Sequence, residues 1–142
     1  MSLEWLHMRI SEEKDRRERE ARILERLPRA LQEVHASLSA CIEAYAQAFG
    51  PEVAKIRLEE SRIVVTVREQ RQGNWEEISR VEISMAPKLP GFQVDGAGEP
   101  LLVEVGMLPG DRLFYKYRDK FLTMEDVTRR TLDRALFPKL GE

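Results

Sequence analysis

The chain predicts an α+β domain: a long, Pro-kinked N-terminal helix, an antiparallel meander of four or five strands and a short C-terminal helix, with the helices packed on one face. Three observations carry that expectation. Apolar residues recur at alternating steps of three and four through Leu24, Leu27, Leu31, Val34, Leu38, Cys41 and Tyr45, which draws one stripe down a helix. After Pro51 the apolar period changes to two, the mark of strands with one dry and one wet face. Helical spacing then returns between about Met124 and Leu136, where Thr123 and Asp126 stand three apart in the manner of a capping box.

The first helix is expected to begin near Leu3. From there to Leu27 every residue tolerates a helix, and acid precedes base by four residues at Glu12 and Arg16, Glu13 and Arg17, Asp15 and Arg19, and Glu18 and Arg22. Each such pair contributes about 0.2 to 0.5 kcal/mol, so this segment can stay helical while solvated all round. Pro28 removes the amide hydrogen that would bond the Leu24 carbonyl and predicts a kink. The seam keeps its register across Pro28, which favours a kinked helix over a loop. Gly50-Pro51 is the stop signal. These features divide the chain into a charged helical arm over residues 1–27 and a single α+β domain over 28–142.

Ala54, Ile56 and Leu58, then Ile63, Val65 and Val67, alternate with polar residues around a turn at Glu60-Ser61 and predict a hairpin. Gln72-Gly73-Asn74 is the next turn, and Val81, Ile83 and Met85 point inward on a third strand. Ile78 has the opposite parity, which predicts a bulge or a late strand start. Pro87 to Pro100 reads as a long loop holding at most a short strand at Phe92 to Val94. Leu101, Val103, Val105 and Met107, and then Leu113, Tyr115 and Tyr117 beyond the turn at Pro109-Gly110-Asp111, alternate again.

Size and charge bound the function. A chain of 142 residues with 42% hydrophobic residues can bury one core. Its net charge of -2 is not a nucleic-acid footprint. One cysteine and two histidines, His7 and His35, cannot assemble a Cys/His zinc site. The adjacent acids Glu59-Glu60 and Glu76-Glu77 point to opposite faces of a strand and cannot act jointly on one substrate. Gly91, Gly96 and Gly98 lack the Lys-Ser/Thr of a phosphate loop. No catalytic residue, metal site or cofactor is therefore expected. With no signal peptide and no run of 18 apolar residues, a cytoplasmic protein without a membrane partner is expected.

What the pattern does suggest is association. In the seam's register the helix is charged at Glu13, Arg17 and Glu20, yet apolar again at Leu3, Leu6 and Ile10, with Trp5 beside them. Such a patch, far from the domain's own sheet, calls for a second copy or another protein, and a homodimer is the commonest closed solution. The expected function is thus a non-enzymatic self-association or partner-binding module. An alternative is a ligand-binding protein or enzyme with a crevice between helix and sheet. A second alternative is a single-stranded nucleic-acid binder using Trp75, Arg112, Tyr115 and Tyr117, where cations interleave with aromatics; on strands such aromatics more commonly serve packing.

Overall fold

The computed structural model describes residues 2–96 and 98–138; the last four residues assigned to the domain, 139–142, lie outside them. One helix, α1 (Glu4–Phe49), is followed by seven strands, β1 (Ala54–Glu59), β2 (Arg62–Arg71), β3 (Asn74–Met85), β4 (Gly91–Asp95), β5 (Leu101–Leu108), β6 (Arg112–Tyr117) and β7 (Lys120–Leu122), and by α2 (Met124–Leu136). The strands form one sheet in sequence order, every neighbouring pair antiparallel. The expected meander is therefore present, but with seven strands rather than four or five. The Pro87 to Pro100 segment, expected as a long loop with at most a short strand at Phe92 to Val94, carries β4, which pairs Phe92 with both Met85 and Val103. The other addition, β7, has three residues, too few to show a period of two.

The inner face is built from the alternating positions. Ile63, Val65, Val67, Val81, Ile83, Phe92, Val94, Val103 and Val105 are buried and share one core with Leu27, Leu31, Val34 and Leu38 of α1 and Val127, Leu132 and Leu136 of α2. Both helices thus cover the same face. Ile78 is the extra residue of a bulge, since Val67 opposes Ser79 while Arg68 opposes Glu77. Val64 points to the opposite face, yet it is 1% exposed. Its cross-strand neighbours are Arg57 and Glu82. The pairs Arg62–Glu82 at 3.7 Å, Arg80–Glu82 at 3.4 Å and Arg57–Glu59 at 3.6 Å hold long side-chain stems over it.

The stripe on α1 is not the heptad seam. Leu24 is 49% exposed and Cys41 is exposed, whereas Ile23 packs on the core and Ile42 is buried. The residues that face the sheet are Ile23, Leu27, Leu31, Val34, Leu38, Ile42 and Tyr45, a repeat of eleven. A straight helix of 3.6 residues per turn drifts about 20° per heptad, so a seven-residue seam leaves the core at both ends while an eleven-residue stripe stays on it. Pro28 lies inside α1 without ending it. The carbonyl it deprives belongs to half-exposed Leu24, where water can take the place of the missing donor.

At the other terminus the capping box is formed. Thr123 Oγ1 accepts from the Asp126 amide at 3.1 Å and the Thr123 amide donates to Asp126 Oδ2 at 3.0 Å. These bonds hold the Asp126 carboxyl below its ordinary range, the backbone amide of Thr123 being the larger cause. No helix of the described residues is long and apolar enough to cross a membrane.

Candidate functional site

Three surface features stand out, and each is positioned by α1. The first is the arm. Leu3 is 50%, Trp5 64%, Leu6 37%, Met8 64% and Ile10 43% exposed. Met8 was not part of the expected patch; it stands three residues after Trp5 on the same helix face and is as exposed. Between this patch and the core, guanidinium and carboxylate groups bond along the helix. Arg16 reaches Glu13 at 2.7 Å and Glu20 at 2.6 Å, Arg17 reaches Glu13 at 3.1 Å and Arg9 reaches Glu12 at 3.2 Å. Bonds from Arg16 and then Arg17 hold the Glu13 carboxyl down to about 2. Of the four sequence-expected pairs only Glu13–Arg17 forms as such; Arg16 prefers Glu13 and Glu20 to Glu12, and Arg22 turns to Asp111 instead of Glu18.

The second feature is an apolar groove of about 680 Å³ between α1 and α2. The two helices run parallel here, tied by Ser37 to Thr128 at 2.7 Å and by the Tyr45 hydroxyl, which donates to the Leu136 carbonyl at 3.2 Å. Phe49 and Phe137 flank Tyr45, with ring centroids 4.9 and 5.7 Å from its own. Cys41, expected to be buried on the seam, instead lines this open groove.

The third is a polar crevice of about 560 Å³ between α1 and β6, lined by Arg26, Arg29, Ala30, Glu33, Asp111, Arg112, Leu113 and Tyr115. The β5–β6 turn is fastened to the helix at one end of it. Arg26 donates to the Asp111 carbonyl and its guanidinium lies 3.6 Å from the Asp111 carboxylate; Arg22 lies 4.0 Å from the same carboxylate. Burial, with a smaller contribution from the charge of Glu33, raises the Tyr115 hydroxyl from 10.0 to about 12.

Arg112 and Tyr115 therefore share a site, but the four residues of the nucleic-acid reading do not. Trp75 sits on β3, with two strands between it and β6, beside the Arg68 guanidinium at 5.6 Å. The ring of Tyr117 is engaged by Arg118 and Arg130, each 5.2 Å from its centroid, which leaves it poorly placed to stack on a base. His35 lies within 3.5 Å of Ser39, and His7 is exposed on the arm. Among the described residues no group of three His, Cys, Asp or Glu side chains could hold a metal ion. The chain matches no protein-family model, no curated protein and no solved structure.

Proposed function

We propose that the protein is a non-enzymatic self-association module whose N-terminal helix engages a second copy of the chain. The observation that carries this reading is the exposure of Trp5 and Met8, at 64% each, on the same unbroken helix whose later turns are buried in the core. Large apolar side chains grouped on a projecting helix are a solubility cost unless a partner covers them. The arm cannot cover the molecule's own groove, because a continuous helix holds Ile10 and Cys41 apart by about 45 Å at 1.5 Å per residue. Two-fold pairing of identical chains covers the helix face carrying Trp5 and Met8 in both copies with one contact. A cytoplasmic location belongs to this proposal and is consistent with the exposed thiol of Cys41.

Light scattering on the full chain and on a Trp5→Ser, Met8→Ser, Ile10→Ser variant tests it. None of the three residues contributes to the core, so the variant keeps its fold. A dimer that becomes a monomer supports the arm; equal masses for the two proteins refute it.

A further inference from the structure

We infer that the crevice between α1 and β6 is a binding site for a small anion carrying a carboxylate or phosphate head. This goes beyond the association proposal and does not depend on it.

The crevice gathers guanidinium groups from two elements, Arg26 and Arg29 from α1 and Arg112 from β6. Arg26 is spent on the Asp111 carbonyl and carboxylate, and Arg22 approaches that carboxylate from the side. Arg29 and Arg112 have no ion-pair partner among the described residues. The three guanidinium groups that line the crevice face the two carboxylates of Asp111 and Glu33, an excess of one positive charge, and Arg22 outside it adds a further cation near Asp111. Arg9, Arg16 and Arg17 on α1 and Arg57, Arg62, Arg68, Arg71 and Arg80 on β1 to β3 are by contrast neutralised by neighbouring carboxylates.

The tyrosine adds what surface arginines alone would lack. Tyr115 is 8% exposed, lines the crevice and makes no side-chain hydrogen bond among the described residues. The ring is largely buried while its hydroxyl opens into the crevice without a protein partner, which leaves it free to donate to a ligand oxygen. Its ionisation is pushed up to about 12, so it stays a donor throughout the physiological range. Two guanidinium forks and one fixed hydroxyl match the oxygens of a carboxylate or a phosphate, which guanidinium binds in bidentate fashion. Ala30 and Leu113 provide apolar walls that strengthen such contacts by excluding water. Glu33 disfavours polyanions and suits a ligand with a donor group beside its anionic head.

The test is calorimetric titration of the full chain at constant ionic strength, with inorganic phosphate and succinate as separate probes. Saturable binding of at least one is expected. Arg29→Gln with Arg112→Gln should weaken it by about tenfold or more, and Tyr115→Phe by several-fold. The control pair Arg129→Gln with Arg134→Gln, on α2, should leave it unchanged. Binding of phosphate alone assigns a phosphate head, of succinate alone a carboxylate head, and of both a site that reads only the shared anionic oxygens. Absence of saturable binding to either probe overturns the inference, as does equal affinity in the Arg29/Arg112 variant or an equal loss in the control. Circular dichroism melts of each variant separate lost binding from lost fold.

Discussion

Replacing Leu31 and Leu24 by alanine, one at a time, should give unequal losses, although both stood in the same heptad seam. Leu31 is 2% exposed and belongs to the core shared by α1, α2 and the sheet. Truncation removes about three carbons from apolar surroundings, roughly 2.4 kcal/mol at about 0.8 kcal/mol per methylene. The cavity left between helix and sheet brings the total to about 3 to 5 kcal/mol. Leu24 is 49% exposed, so about half the transfer loss applies and solvent already bounds the site. Alanine's slightly better helix propensity recovers part of the remainder, leaving a cost under about 1 kcal/mol. Guanidinium unfolding followed by circular dichroism, at one fixed protein concentration so that association contributes equally, measures both. A Leu24→Ala cost equal to or above that of Leu31→Ala would refute the eleven-residue stripe and restore the heptad.

Pro28→Ala should stabilise the chain by about 1 to 3 kcal/mol, because it restores a helical bond to the Leu24 carbonyl at an exposed position; a loss of stability would mean that the core depends on a distortion at Pro28. Gly91→Ala should disrupt the β4–β5 pair, since a Cβ there would lie 2.3 Å from the Val103 carbonyl oxygen, and the measurement is loss of amide protection in those strands. Gly106→Ala meets the Phe114 ring first, so its destabilisation should be relieved by adding Phe114→Ala, and an unrelieved loss would count against that contact. Alkaline titration followed by tyrosine absorbance should show Tyr115 ionising near about 12. A raised tyrosine favours the fold below its ordinary 10.0, so stability should fall as the pH rises from there through about 12, and a Tyr115 that ionises at its ordinary value would refute its burial.

Most of the architecture is legible because binary pattern and turn chemistry agree. The alternation at Ile63, Val65 and Val67 and at Val81 and Ile83 marks the inner face correctly, and the misplaced parity of Ile78 marks the bulge. Gln72 and Gly73, with φ of 52° and 82°, form the turn their composition suggests. What escaped the pattern is set by non-local pairing. The prolines between Pro87 and Pro100 make that segment read as a loop with no more than a short strand at Phe92 to Val94, and pairing with Met85 and Val103 extends that strand to Gly91–Asp95. The crevice between α1 and β6 was only half legible: Arg112 and Tyr115 stand out among the strand aromatics, whereas Arg29 and Glu33 are ordinary helix-surface residues until β6 is laid beside them.

Continuity of α1 through Pro28 also bears on how well an arm can bind. Had the helix broken there, residues 4–22 would swivel about a loop, and docking would have to freeze that motion along with the side chains. A single helix from Glu4 to Phe49 instead fixes the arm's direction by the packing of Leu27, Leu31, Val34 and Leu38 on the sheet. The ion pairs among Arg9, Glu12, Glu13, Arg16, Arg17 and Glu20 contribute little to global stability, since all are exposed. Their consequence is local: they keep the charged span helical where no sheet supports it, and helix formation propagates from a nucleus that the core already supplies. Trp5 and Met8 are thereby presented on a framework ordered before any encounter. Lengthening the span by two glycines after Ala21 should leave the core intact yet weaken self-association, because the apolar patch would lose both its direction and its helical support.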